Sequence, residues 1–356
     1  MKIIQLLPSM AFGDAVSNDA AAVRQILLEG GYHTELYAEH IDMRLPAGMV
    51  RHISDLKPPE EGDLLLYHGS TGDAMNLKVP LMNGKKVIRY HNMTPPAFFT
   101  EYSRKSRSLA EDGIYEMKTA AGGYSYGIAV SDYNRQNMRE LGFTCPIDVC
   151  PIVIPFSDYD REPDPAVLEK YGGDGWTNLL FVGRISPNKR QENVIRAFEC
   201  YHRQYNPKSR LILAGSPVAM EPYQVRLDRY VKALGLEDCV IFTGQISFPA
   251  ILAYYRLADA FVCMSEHEGF CVPIVEAMYF GKPIVALRAA AVPETLGRGG
   301  LLLDSSEPET AAAAIHRILT DSALRERLAA EQKRKLPEYS YGKVRERLLA
   351  CLGKVL

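Results

Sequence analysis

No C-x-x-C pair occurs among the seven cysteines of this 356-residue chain (Cys145, Cys150, Cys200, Cys239, Cys263, Cys271 and Cys351). An odd count without paired spacing fits reduced thiols of a cytosolic protein better than a disulfide framework. The eight histidines form no H-E-x-x-H and no Cys/His cluster, so no metal site is expected. A G-x-x-x-x-G-K-[ST] loop is missing, which excludes a P-loop kinase, and no G-x-S-x-G is assigned to a hydrolase nucleophile. No run approaches 18 apolar residues, so no membrane span is expected. The apolar run at 1–8 is too short for a secretory signal, so the expected location is the cytoplasm. A charge excess is also lacking. With 41 basic and 43 acidic residues the formal charge is −2, and no nucleic-acid partner is expected, because neutralising phosphates needs a basic surface.

What is present is an alternation of short apolar runs and amphipathic stretches. Runs at 3–7, 35–38, 64–67, 86–90, 128–130 and 149–154 have the length and composition of fully buried strands, and 17–29 has helical spacing closed by Gly30-Gly31. A stretch rich in proline, glycine and acids at 155–176 reads as a linker with a short helix at 165–171. The same grammar then restarts. Strands are predicted at 179–182, 211–214, 240–243, 260–264, 284–287 and 301–303. Helices are predicted at 191–205, 222–234, 249–257, 273–280 and 309–319. This implies an α/β protein of two doubly wound domains, at 1–160 and 175–338, with a C-terminal helix at 339–356. Ligands are expected beyond the carboxyl ends of the strands, in a cleft between the domains.

Four segments carry candidate chemistry. In Glu268-Gly-Phe-Cys-Val-Pro-Ile-Val-Glu276 a strand leads into a helix with Pro273 in its first turn. The amides of Phe270, Cys271 and Val272 then lie at a helix start, a natural anion site. Glu268 and Glu276 flank it as candidate acceptors for sugar hydroxyls; spacing alone favours the plainer reading of a capping acid and a surface glutamate. In Phe181-Val-Gly-Arg-Ile-Ser-Pro-Asn-Lys189, a turn at Gly183 is followed by Arg184 and Lys189. These cations suit a leaving diphosphate, or simply a solvated basic loop. In Ser9-Met-Ala-Phe-Gly-Asp14, Gly13 permits close backbone approach to a phosphate or sugar, or serves a plain turn. In Arg89-Tyr-His-Asn-Met-Thr-Pro-Pro96, His91 falls at a strand end, where an imidazole donates to a hydroxyl, moves a proton, or is structural. The mixed aromatic and basic stretch 98–107 is placed at an acceptor mouth, against anionic lipid headgroups, or on a solvated helix face.

These residues together resemble family 4 of the retaining glycosyltransferases, with the GT-B architecture of two facing Rossmann-like domains. The resemblance covers essentially the whole chain and is strongest over 179–294. Its specific part is the E-x7-E signature, here Glu268 to Glu276; Phe181-Val-Gly-Arg184, Leu213-Ala-Gly215 and Phe242-Thr-Gly-Gln-Ile246 look like further family blocks. The resemblance implies that Arg184 and Lys189 hold the diphosphate. It implies that Glu268 and the Phe270 and Cys271 amides hold the donor sugar, with Val272 beside the phosphates. Glu276 would bind the ribose, Ile246 the base, Gly13 the diphosphate or sugar, and His91 the transferred sugar. Two departures stand out: Cys271 where many relatives have glycine, and Arg288-Ala-Ala-Ala291 in place of a glycine-rich turn.

The implied activity is transfer of a hexose, with retention and without metal or other cofactor, from a UDP- or GDP-sugar to a glycan or lipid-linked acceptor. The expected setting is bacterial-type polysaccharide or glycolipid assembly, with peripheral contact at the inner membrane face. The rivals are an epimerase or phosphorylase on the same architecture, and a non-catalytic protein that binds nucleotide sugar or glycan.

Overall fold

A computed structural model describes residues 1–356. The chain divides into two compact units, Met1–Ala97 with Lys105–Pro155 and Glu338–Leu356, and Phe98–Arg104 with Phe156–Pro337.

The first unit is built on seven strands: β1 (Ile3–Met10), β2 (Thr34–Ile41), β3 (Arg51–His52), β4 (Leu64–Gly69), β5 (Lys85–Tyr90), β6 (Tyr126–Ala129) and β7 (Ile147–Val149). They pair in parallel in the order β3-β2-β1-β4-β5-β6-β7. Side chains alternate between the two faces of a strand. Leu65 and Tyr67 of β4 therefore join Ile4, Leu6 and Ile88 in one core, whereas Leu64 and Leu66 join Ile3 and Val87 in the other. The second core is covered by the helix Ala15–Glu29 through Val23, Ile26 and Leu27, and by the C-terminal helix Tyr341–Gly353 through Val344, Leu348 and Leu352. Burial on both faces explains why these strands read as continuous apolar runs.

The second unit holds β8 (Thr177–Val182), β9 (Ser209–Ala214), β10 (Val240–Gly244), β11 (Ala260–Cys263), β12 (Ile284–Leu287) and β13 (Leu301–Leu303). These too are parallel, in the order β10-β9-β8-β11-β12-β13. That is the Rossmann order, in which the sequence of strands reverses direction between β8 and β11.

Three differences from the sequence reading have physical causes. The run at 149–154 is strand only to Val149, since Pro151 supplies no ladder donor; the carbonyls of Cys150 and Pro151 accept from Arg89 instead. The helix Arg104–Ala120, 17 residues long, is too polar for its apolar positions to mark it. It also splits the stretch 98–107. Phe98–Arg104 belongs to the second unit, where the Arg190 guanidinium lies 5.5 Å from the Phe98 ring and Tyr102 meets Tyr223 edge-on. No helix is long and apolar enough to cross a membrane.

Candidate functional site

In the second unit the two motifs converge where the strand order reverses. Gly183 directly follows β8, and the turn 264–271 follows its neighbour β11. Gly183 has φ 153°, and a Cβ at Gly215, after β9, would sit 1.8 Å from the Gly183 carbonyl oxygen. The two glycines thus let the turns after β8 and β9 meet backbone to backbone. Beyond Gly183, Arg184 is exposed and its guanidinium pairs with no acid. Its carbonyl accepts from Gln191 Nε2 at 2.9 Å, which pins the loop to the helix Gln191–Gln204.

Asn188 joins the two motifs. Its carbonyl accepts from the Glu266 N–H at 3.0 Å and its amide donates to the His267 carbonyl at 3.1 Å. Ser186 Oγ donates to Asn188 Oδ1 at 2.7 Å and fixes the amide's direction. Lys189 Nζ then reaches Glu268 Oε2 at 2.5 Å, with both side chains mostly buried (19% and 8% exposed). Removing either partner would leave the other charge mostly buried and uncompensated. The pair also sets a cation beside the carboxylate that would otherwise repel an anion here.

The helix Val272–Tyr279 starts at Cys271, whose φ of 74° and ψ of 68° are left-handed. Ala290, in the other segment that departs from the family pattern, is also left-handed, at φ 48°. Both departures therefore stand at backbone positions that favour glycine, and each costs on the order of 1 kcal/mol. The turn is held from the side. Thr295 Oγ1 donates to the Phe270 carbonyl at 2.5 Å, and the Ala291 N–H to the Glu268 carbonyl at 3.3 Å. The Cys271 and Val272 amides precede Pro273 at the helix start, where intrahelical acceptors do not exist.

Glu276 lies one turn inside the helix. Its Oε1 accepts from the Tyr159 hydroxyl at 2.9 Å and its Oε2 from the Tyr255 hydroxyl at 2.7 Å. Burial pushes its carboxyl above the usual range, against the lowering effect of the two phenols. Each carboxylate oxygen keeps a second lone pair for a ligand hydroxyl. Ile246, half-buried, sits in the turn between β10 and the helix Phe248–Leu257.

In the first unit, Gly13 (φ 74°) occupies an open turn between β1 and the helix Ala15–Glu29, with nothing within 4 Å of a Cβ placed there. His91 follows β5 and is enclosed. Its Nε2 lies 3.1 Å from His68 Nδ1 and 3.6 Å from Asp19 Oδ2, and its Nδ1 is buried with no protein partner. Asp19 is itself clamped by Arg89, at 2.5 Å from Nε and 2.9 Å from Nη2. Burial pulls the His91 imidazole down to about 4, so it is neutral at pH 7.

Two sets of side chains bring possible metal donors together, Asp19/His68/His91 and Cys263/Glu268/Cys271. Each already faces a cation, Arg89 in the first and Lys189 in the second, so a dication would enter against buried positive charge. Gly123-Tyr-Ser-Tyr-Gly127 does satisfy G-x-S-x-G, but it leads from a 3-10 turn into β6, the reverse of the strand–turn–helix order of a nucleophile elbow. Ser125 Oγ is used instead to donate to the Lys86 carbonyl at 2.9 Å.

The sequence reading gives no role to Asn188, Tyr159, Tyr255, Thr295, Asp19 or His68. Asn188 sits inside a quoted motif, and that is the one local signal among them.

Residues 168–335 match the family model for glycosyl transferases group 1. O-antigen chain mannosyltransferase B of Escherichia coli is 27% identical over 284 residues, covering 78% of this chain and 71% of that protein. For other curated relatives the match spans only about half of their length or less. Sucrose-phosphate synthase of Thermosynechococcus elongatus superposes with a TM-score of 0.76 at 18% identity, covering 100% of this chain and 99% of that one. HepE of Anabaena, solved with UDP and glucose, gives 0.72 at 20% identity, covering 99% of each. The fold is accordingly that of the GT-B glycosyltransferases, and the matches support sugar transfer as the reaction class.

Proposed function

We propose that this chain is a retaining glycosyltransferase of family 4 that moves a hexose from a UDP- or GDP-sugar to an acceptor hydroxyl, without a metal. Its setting would be polysaccharide or glycolipid assembly, on a glycan or lipid-linked acceptor at the inner membrane face. The observation that carries the reading is the meeting of the loop after β8, which bears Arg184 and the Lys189 paired with Glu268, with the turn that ends at the helix start of Cys271, where the strand order reverses between β8 and β11. Supporting it are the family match over 168–335, the mannosyltransferase relative, and the UDP and glucose bound by HepE.

In this reading the bond from the anomeric carbon to the diphosphate oxygen breaks, and the acceptor oxygen bonds to the same face. The acceptor proton passes to the departing phosphate. Arg184, Lys189 and the Cys271 and Val272 amides stabilise the charge that develops on the diphosphate. Glu268 accepts from sugar hydroxyls, Glu276 from the ribose, the Ile246 backbone meets the base, and Gly13 and His91 serve the sugar. Thermal shift with UDP, GDP, ADP and their sugars tests the donor. Excess ligand at about 100 times Kd adds about 2.7 kcal/mol to the folded state, so one nucleotide should raise Tm clearly; no shift with any of them defeats the reading.

Glu276 gives a second test. A carboxyl held above its usual range costs the folded state stability at pH above that range, and the cost vanishes as pH falls and the group protonates. Glu276→Gln is therefore expected to be at least as stable as the parent at pH 7.5, yet to bind nucleotide about tenfold more weakly, one charged hydrogen bond to ribose being lost. Thermal melts with and without UDP or GDP measure both; a lower Tm with unchanged nucleotide affinity assigns Glu276 to structure instead.

A further inference from the structure

The first unit carries a line of three polar side chains across neighbouring strands: Gln5 on β1, His68 on β4 and His91 just after β5. All are buried. One end of the Gln5 amide lies 3.0 Å from His68 Nε2, and His68 Nδ1 lies 3.1 Å from His91 Nε2. The two imidazole rings stack at 5.3 Å. The line ends on His91 Nδ1, which is buried and has no protein partner.

The direction of each hydrogen bond follows from its surroundings. The end of the Gln5 amide near His68 is also 3.2 Å from the Ala20 carbonyl oxygen, while the other end faces the Arg24 N–H at 3.3 Å. Two donors cannot face each other, so the end toward Arg24 is the oxygen and the end toward Ala20 and His68 is the NH2. His68 Nε2 is then an acceptor. A neutral imidazole has one N–H, so the His68 proton is on Nδ1 and is donated to His91 Nε2. That leaves the His91 proton on Nδ1, the open atom.

The charged groups facing this line do not overturn it. Asp19 Oδ2 is 3.6 Å from His91 Nε2, beyond a hydrogen bond. Its carboxylate is filled by Arg89 at both oxygens and by the Val153 N–H at 2.7 Å. Asp14 acts on His91 only through space, and more weakly than either Asp19 or Arg89. Burial holds His68 well below the usual histidine range, and His91 with it.

We infer that Gln5 and His68 are positioning residues that fix His91 as a neutral Nδ1–H donor for an oxygen of the transferred sugar, and so exclude it as a base. The inference rests on the sugar-transfer reading for its ligand, but the relay itself does not.

The test is 15N NMR of the full chain labelled at histidine, with His91 assigned by comparison with His91→Asn. The expected result is a protonated Nδ1 and a bare Nε2 on His91 at pH 7. Gln5→Glu places an acceptor against His68 Nε2 and reverses the line, moving the His91 proton to Nε2. Transfer kcat should then fall about 10- to 100-fold, with UDP or GDP affinity unchanged. His91 protonated on Nε2 or on both nitrogens in the parent overturns the inference, as does a Gln5→Glu chain that folds and keeps the parent tautomer and kcat. Should that variant fail to fold, the parent spectrum decides alone. A parent spectrum as expected, together with no nucleotide binding, would retain the relay and remove the glycosyltransferase reading.

Discussion

Arg184→Ala should lower kcat/KM for sugar transfer by about 100- to 1,000-fold while leaving the folded state intact. The stability half of this expectation comes from exposure: the guanidinium is solvated and pairs with no acid, so its removal strands no buried charge. The activity half comes from its position one residue after Gly183, where the turn leaves β8 at the reversal of strand order. A cation aimed at a leaving diphosphate acts mainly in the transition state, so kcat should carry most of the loss. Lys189→Ala makes the contrast. Its ammonium neutralises Glu268 at 2.5 Å, so the same truncation leaves a mostly buried carboxylate unpaired and should lower both Tm and activity. Steady-state rates and melts on the two variants separate these cases. Transfer unchanged in Arg184→Ala would end the assignment of that loop to the diphosphate.

The legible parts of this molecule are those encoded locally. The runs 284–287 and 301–303 coincide with β12 and β13: all four residues of β12 are buried, which in a parallel sheet needs an unbroken apolar run, and β13 is a half-buried edge strand of three leucines. The start of the helix Val272–Tyr279 is visible in Pro273, and the E-x7-E spacing lies within one segment. The unread parts depend on residues far apart in sequence. Lys189 and Glu268 are 79 residues apart, Tyr159 and Glu276 are 117 apart, and Asp19 and Arg89 are 70 apart. No window contains both partners, so no local pattern can announce the pair. Tyr159 falls in a stretch whose prolines and acids read as linker, yet its hydroxyl is one of two that hold Glu276. His91 shows the same limit. Its place at a strand end is readable, but its neutral state comes from burial and the direction of its proton from Gln5 and His68, on two other strands.

The largest stability effect is expected at Asp19. Arg89 is a fully buried arginine and Asp19 a fully buried carboxylate. Arg89 donates twice to Asp19 and to the carbonyls of Cys150 and Pro151, and Asp19 also accepts from the Val153 N–H. The pair thus ties the first helix and β5 to the chain leaving β7. Asp19→Ala leaves the guanidinium in the interior without its counter-ion, at a cost of about 3–5 kcal/mol, a large share of the roughly 5–15 kcal/mol that holds most folded domains. Replacing both partners, as Asp19→Leu with Arg89→Met, removes the stranded charge and should recover a good part of that loss. The pH dependence has a defined sign. Burial alone would push the Asp19 carboxyl up, but the charge and hydrogen bonds of Arg89 outweigh it and hold the carboxyl below its usual range. The pair therefore contributes fully above the pKa of an unfolded aspartate, about 3.9, and loses that contribution as pH falls through the lower folded value. Denaturant melts should show an acid limb below about pH 4 in the parent that is blunted in Asp19→Asn. A loss under about 1 kcal/mol in Asp19→Ala, where a surface pair would fall, would mean that water reaches Arg89 and that the relay above it is not dry.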